Sequence, residues 1–152
     1  MAPPAHIELP SAVLFACNLN SVRSPMAAGL LRHLLGHRIY VTSAGVRSGK
    51  QDPFAINAME EIGIDIAGHN PVSFDDLHDS SFDLVISLTP QAQHKAVELT
   101  RTMSLDVEYW PTHDPTLETG NREQRLNAYR QLRDTLMTRI KERFGLHGQP
   151  NP

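Results

Sequence analysis

The chain has little cysteine: Cys17 is the only one among its 152 residues. No disulfide can therefore form within the chain. A lone cysteine is either a small buried apolar residue or a chemically reactive group. The surroundings of Cys17 decide between the two.

Long apolar runs are also missing. No stretch approaches the ~18 residues that a membrane-spanning helix needs. The first residues, which read MAPPAHIELP, lack the charged start and apolar centre of a secretory signal. We therefore expect a cytoplasmic protein that has no membrane partner.

An excess of positive charge is absent as well, since the formal net charge is -3. A nucleic-acid partner is therefore not expected. The eight histidines show no metal-ligand spacing, so neither a metal nor a cofactor is predicted. The length fits one domain, which we place at residues 11–146, between a flexible lead-in (1–10) and a tail (147–152).

The apolar residues that are present alternate between two patterns. Short continuous apolar runs are typical of buried strands, and longer stretches with apolar residues every three or four positions are typical of helices. Ser24 and Pro25 fit the N-cap and first residue of a helix, and Asp52-Pro53 opens another. Predicted strands are 12–17, 39–42, 82–88 and 107–110, and predicted helices are 25–35, 53–62, 90–99 and 122–144.

Strands that alternate with helices predict an α/β fold: a three-layer sandwich with a central four-stranded parallel sheet flanked by helices. In such folds, ligands bind beyond the carboxyl ends of the strands. This rule directs attention to Cys17, to Ser43, and to the segments 88–90 and 111–116.

The loop after the first strand carries the strongest chemical signal. Cys17 ends that strand, and Arg23 follows it at the start of a helix. A short loop before a helix can direct backbone N–H groups at one anion, and arginine can bind two phosphate oxygens at once. The same positive surroundings favour the thiolate of Cys17, which is a nucleophile. The predicted phosphate-binding residues are Asn18, Leu19, Asn20, Ser21, Val22, Arg23 and Ser24.

Several segments in order resemble one family. These are 17–25, Thr42-Ser43-Ala44-Gly45, the stretch from Gly63 to His69, 82–86 and Asp114-Pro115. Together they are similar to the low-molecular-weight protein tyrosine phosphatases. The resemblance covers the chain from about residue 12 to residue 144.

The resemblance implies a role for each matching residue. Cys17 would be the nucleophile, Arg23 the phosphate clamp and Asp114 the general acid, and no cofactor would be required. Ser24 would donate a hydrogen bond to the sulfur. Asn20, Ser24, Ser43 and His69 would form the network that supports the loop.

Four departures from the family pattern concern the substrate more than the chemistry. Leu19 stands where the family usually has glycine, and leucine adopts a positive φ far less readily than glycine does. Val22 replaces a frequent second cysteine, so Cys17 is open to over-oxidation. Thr89 replaces a carboxylate. The aromatic residues of a phosphotyrosine slot are hard to find, with Thr116-Leu117 after Pro115 and no aromatic between Ser43 and Asp52.

The sequence thus predicts a phosphomonoester hydrolase of the protein-tyrosine-phosphatase type, acting through a phosphocysteine. Its partners would be a phosphorylated protein or a small phosphomonoester, with inorganic phosphate as product and inhibitor. Two alternatives stay open. One is an arsenate reductase of the same fold that uses an external thiol, since a relay through further cysteines is excluded. The other is a module that binds phosphate or a phosphopeptide without turnover.

Overall fold

A computed structural model describes residues 8–78 and 81–146. The predicted tail (147–152) and most of the predicted lead-in (1–10) lie outside these residues. Within them, no helix has both the length and the apolar character to cross a membrane.

The centre of the molecule is a sheet of four parallel strands. They are β1 (Ala12–Cys17), β2 (Tyr40–Gly45), β3 (Leu84–Ser87) and β4 (Asp106–Tyr109), and their order across the sheet is β2-β1-β3-β4. β1 is central and buried along its whole length, as its continuous apolar run predicts. Its last residue, Cys17, pairs with Gly45 at the carboxyl edge.

In the described part of the chain, four α-helices cover the sheet: α1 (Arg23–Leu35), α2 (Pro53–Glu60), α3 (Pro90–Leu99) and α4 (Arg122–Arg143). One core lies between one face of the sheet and α1, α2 and α4, and it includes the side chains of Phe15 and Cys17. A smaller core lies on the other face under α3 and includes Leu14 and Ala16. The predicted three-layer α/β sandwich is thereby confirmed.

The start of α1 differs from the prediction. Val22 is the N-cap and makes no side-chain hydrogen bond there, and Ser24 lies inside the first turn. The hydroxyl of Ser24 instead contacts the Cys17 and Asn20 side chains. The expected capping role of Ser24 is therefore wrong, because its hydroxyl is engaged by the loop. Asp52, by contrast, caps α2 as predicted.

Strand β2 is longer than its apolar run suggests. It continues through Ser43 to Gly45, because the neighbouring β1 pairs with it up to that residue. Ser43 thus lies within the strand and its hydroxyl is held in a fixed position beside the loop.

Candidate active site

The loop 18–22 connects the end of β1 to the start of α1. Its carbonyl groups are turned away from the centre: the N–H groups of Val46, Arg47 and Gly49 donate to the carbonyls of residues 17, 18 and 19 at 2.8–3.0 Å. Within the described residues, none of the backbone N–H groups of residues 18–23 donates a hydrogen bond. These donors are available for an anion, as in other helix-starting phosphate loops.

Asn20 holds the loop in shape. It is fully buried and adopts a left-handed backbone conformation with φ of 56°, which asparagine tolerates better than most residues. Its amide nitrogen donates to the hydroxyls of Ser24 (2.8 Å) and Ser43 (2.9 Å). Its amide oxygen accepts from the N–H of Val72 at 3.0 Å, so the side chain is fully satisfied.

His69 supports the same residue from outside the loop. Its Nε2 lies 2.9 Å from the carbonyl oxygen of Asn20, so Nε2 carries the proton and donates. Burial lowers the pKa of His69 from its ordinary value of 6.5, and the nearby charge of Arg32 adds to this, although the bond to Asn20 opposes it. The neutral imidazole is therefore favoured in the folded protein.

Cys17 is buried at the base of the loop, with its sulfur 2.9 Å from the hydroxyl of Ser24. The hydroxyl of Ser24 accepts from Asn20, and its single proton can point at the sulfur or at the carbonyl of Ala44, 3.4 Å away. A thiolate can only accept, so Ser24 is the donor in that state. This arrangement can stabilise negative charge on sulfur.

Arg23 extends from the first residue of α1 across the mouth of the loop. Its Nη1 donates to the carbonyl of Thr112 at 2.9 Å, and its Nη2 lies 3.9 Å from Oδ2 of Asp114. The guanidinium is thus fixed between the loop and the segment after β4. From this position the guanidinium can also donate to an anion that is bound by the N–H groups of the loop.

Asp114 is held in a defined orientation. It caps the short 3₁₀ helix Pro115–Leu117, and its Oδ1 accepts from the N–H (2.9 Å) and hydroxyl (2.7 Å) of Thr116. Oδ2 is the oxygen that faces Arg23. A carboxyl group with one oxygen anchored and the other directed at the site is suited to moving a proton.

These side chains meet in a cleft of about 630 Å³. The structure brings Cys17, Arg23 and Asp114 together on its wall, while Ser43 and His69 stand behind the loop. Sequence reasoning missed much of the lining: Arg47, Lys50, Asp52, Phe54, Arg122, Arg125 and Tyr129.

Two aromatic rings stand in the cleft where the sequence suggested none. Phe54 of α2 and Tyr129 of α4 pack with their ring centroids 5.4 Å apart. The hydroxyl of Tyr129 donates to Oδ2 of Asp52 at 2.7 Å. Burial raises the pKa of Tyr129, and the bond to Asp52 adds to this, so the phenol stays protonated. Helical position, and not local sequence, brings these rings to the site.

The departures at Leu19 and Thr89 have a structural explanation. Leu19 does not need a positive φ, because Asn20 takes that conformation, and its side chain is 42% exposed at the cleft. Thr89 caps α3 by accepting from Ala92 N–H, and its hydroxyl donates to Oδ1 of Asn18 at 2.7 Å. It thereby ties the loop to α3.

Among the described residues, no group of histidine, cysteine, aspartate or glutamate side chains is arranged to hold a metal ion.

The chain is similar to known proteins of two kinds, arsenate reductases and low-molecular-weight tyrosine phosphatases. The glutaredoxin arsenate reductase of Synechocystis is 34% identical over 130 residues, which is 85% of this chain and 92% of that protein. A solved arsenate reductase in its phosphate-binding state is 30% identical, with a TM-score of 0.69 over 90% of this chain and 98% of its own.

A solved low-molecular-weight protein tyrosine phosphatase from T. tengcongensis is 25% identical. The match covers 87% of this chain and 96% of the phosphatase chain, with a TM-score of 0.70. The family model described as low molecular weight phosphotyrosine protein phosphatase matches residues 12–143. The chain therefore belongs to the low-molecular-weight phosphotyrosine protein phosphatase family.

Proposed function

We propose that the chain is a cysteine-dependent phosphomonoester hydrolase, of the low-molecular-weight protein-tyrosine-phosphatase type. The observation that carries this proposal is the position of the Cys17 sulfur. It lies 2.9 Å from the Ser24 hydroxyl, at the base of a loop with free N–H groups, and Asp114 stands beside Arg23 at the same cleft.

In the first half-reaction, the Cys17 thiolate attacks phosphorus and forms an S–P bond. The bond from phosphorus to the ester oxygen breaks, and its electron pair stays on that oxygen. Asp114 donates a proton to the leaving oxygen. The loop N–H groups and Arg23 stabilise the charge on the three phosphoryl oxygens.

In the second half-reaction, water attacks the phosphorus of phosphocysteine. Asp114, now ionised, takes a proton from the water, and the S–P electron pair returns to Cys17. The Ser24 hydroxyl donates a hydrogen bond to the departing thiolate. Inorganic phosphate is released and, as the product, competes with substrate for the loop.

Phosphotyrosine on a protein is the proposed substrate, and a small aryl phosphomonoester is a simpler relative of it. Phe54 is partly exposed and lines the cleft, so apolar carbon stands near the loop for the substrate's ring to contact.

The test is hydrolysis of a phenyl phosphate chromogen by the wild type, Cys17→Ser and Asp114→Asn. We expect no turnover by Cys17→Ser and a loss of ~10²-fold or more in Asp114→Asn. Asp106→Asn is the matched control. Asp106 begins β4 at the amino-terminal end of the sheet, away from the cleft, so this variant should keep activity. If the wild type is inactive but phosphate still protects Cys17 from alkylation, the chain is a phosphate-binding module and not a hydrolase.

Arsenate reduction is a second candidate, and the names of relatives at 30–34% identity favour it. In this reaction the Cys17 thiolate forms an S–As bond with arsenate and water leaves. An external thiol then attacks the sulfur, and As(III) departs with the electron pair. A second thiol reduces the resulting mixed disulfide, so two thiols are oxidised for each arsenic reduced.

The absence of any further cysteine requires those thiols to come from another molecule. The test measures arsenate-dependent oxidation of glutathione, with and without a glutaredoxin, by the wild type and Cys17→Ser. Arsenite formation that depends on Cys17, together with negligible ester hydrolysis, would place this reaction first. Rapid ester hydrolysis without thiol oxidation would remove it.

A further inference from the structure

The mouth of the cleft carries four basic side chains besides Arg23. Arg47 and Lys50 lie on the segment after β2, and Arg122 and Arg125 lie on the first turns of α4. All four are exposed. In the part of the chain that the structure describes, none of the four forms an ion pair with a carboxylate.

Three of the other four arginines of α4 form ion pairs: Arg130 and Arg133 bind Glu61, and Arg143 binds Glu108. The fourth, Arg139, lies over the ring of Trp110. Each of these four has a partner outside the cleft, whereas Arg122 and Arg125 face the cleft without a carboxylate partner in the described part of the chain. Five cations face two carboxylates in the cleft, although the chain as a whole carries a net charge of -3.

Phe54 holds two of the cations in place. The guanidinium carbons of Arg122 and Arg125 lie 5.5 and 4.8 Å from the centroid of its ring, within the range of a cation–π contact. Among the described residues neither guanidinium has a carboxylate partner, so their N–H groups can donate to an anion.

The phosphoryl group itself needs only the loop N–H groups and Arg23. Four further cations around the same cleft have no role in that step. A cleft of about 630 Å³ also falls within the size range of sites for whole small ligands. The surplus charge therefore concerns the part of the substrate outside the phosphoryl group.

We propose that the substrate carries a second anionic group, a carboxylate or a phosphate, beside the phosphomonoester, and that these four cations bind it. The inference rests on the proposed function and specifies its substrate class. For a protein substrate, it selects phosphotyrosine flanked by acidic or phosphorylated residues. Exposed ion pairs are individually weak, so the expected gain is ~1.5–5-fold in affinity for each contact.

The test compares three phosphotyrosine peptides that differ only in the residues flanking the phosphotyrosine: glutamine, glutamate or phosphoserine. Their dissociation constants are measured on Cys17→Ser, so the readout does not depend on turnover, and their KM values on the wild type. We expect the acidic peptides to bind ~3–10-fold more tightly than the glutamine peptide, with a difference that shrinks at high salt. The glutamate and phosphoserine arms show which anion is preferred.

Two double variants locate the effect: Arg122→Gln with Arg125→Gln, and Arg47→Gln with Lys50→Gln. Each should reduce the preference for acidic peptides. Arg38→Gln with Arg101→Gln is the matched control. It also removes two positive charges, but at the amino-terminal end of the sheet, where Arg38 precedes β2 and Arg101 follows α3. This control should keep the preference for acidic peptides.

Equal affinity for all three peptides at low salt would overturn the inference. So would a loss of preference in the control as large as in the cleft variants. Neither result bears on turnover of phenyl phosphate, which tests the hydrolase separately. Failure of the inference and failure of the proposed function are thus distinguishable.

Discussion

Ser24 shows how one hydroxyl can serve two neighbours. It accepts from the Asn20 amide and lies 2.9 Å from the Cys17 sulfur. The sequence predicts Ser24 as the cap of α1, yet its hydroxyl forms its hydrogen bonds at the loop. In the proposed reaction this contact matters, because the group that leaves in the second half-reaction is the Cys17 thiolate.

Removal of this hydroxyl should slow the second half-reaction. For Ser24→Ala we expect phosphocysteine to accumulate, with a burst of phenol and a ~10–100-fold lower steady rate, since a hydrogen bond to a charged group is worth ~1.5–3 kcal/mol. Rapid mixing with the chromogen measures the burst. Ser43→Ala is the matched control, because it takes an acceptor from Asn20 without touching sulfur. A burst of equal size in both variants would contradict the assigned donor.

His69 makes the loop sensitive to acid. Its pKa is lowered in the folded chain, so between that pKa and the unfolded value of about 6.5 the unfolded state binds more protons. The stability that the neutral imidazole contributes is present above pH ~6.5 and is lost as pH falls through that window.

Urea unfolding of the wild type and His69→Gln across this pH range measures the effect. Glutamine can still donate to the Asn20 carbonyl but does not titrate, so we expect the variant to lose less stability than the wild type on acidification. His33→Gln, an exposed residue of α1, serves as control. A pH-independent difference between the wild type and His69→Gln would show that His69 does not titrate in this way.

At the scale of elements, the close packing of β2 against the loop depends on a glycine. A Cβ on Gly45 would come within 2.5 Å of the Arg47 carbonyl oxygen, 2.8 Å of the Asn20 nitrogen and 2.9 Å of the Asn18 oxygen. All three are backbone atoms, which cannot rotate away. The loop can therefore sit on the end of β2 only while that residue has no side chain.

Gly45→Ala should displace the loop. We expect a destabilisation of ~1–3 kcal/mol, typical of overpacking, and a loss of activity of at least ~10-fold. Denaturant unfolding and chromogen hydrolysis measure the two effects. Gly68→Ala is the control, because a Cβ there meets nothing within 4 Å. Full activity in Gly45→Ala would mean that the loop tolerates a shift of this size.

For the whole molecule, an anion on the loop binds only the folded state, because the donors come from β1, the loop and α1 together. Inorganic phosphate should therefore raise the melting temperature. At a hundredfold excess over the dissociation constant the gain is ~2.7 kcal/mol, or about 5–10 °C for a chain of this length.

Thermal unfolding with phosphate, and with chloride at equal ionic strength, measures this stabilisation. Asp114→Asn should keep it, while Arg23→Ala should reduce it, because the clamp is lost. Equal shifts with chloride and phosphate would indicate a general salt effect and no site on the loop.

The sequence by itself determined the strand–loop–helix order, the parallel sheet and the candidate nucleophile, clamp and acid. The fold and the nucleophile depend on neighbouring residues, namely the apolar run of β1 and the spacing from Cys17 to Arg23, whereas the role of Asp114 comes from the resemblance of Asp114-Pro115 to the family's loop. Arg47 and Lys50 follow the end of β2, so the rule that ligands bind beyond the carboxyl ends of parallel strands could have identified them as well.

Only the tertiary structure decided what surrounds that chemistry. Phe54 and Arg125 are far apart in sequence and meet because α2 and α4 pack on the same face of the sheet. The anchoring of Arg23 by the Thr112 carbonyl is also a long-range contact. Local propensity cannot specify such contacts, because their energy comes from packing elements that fold together.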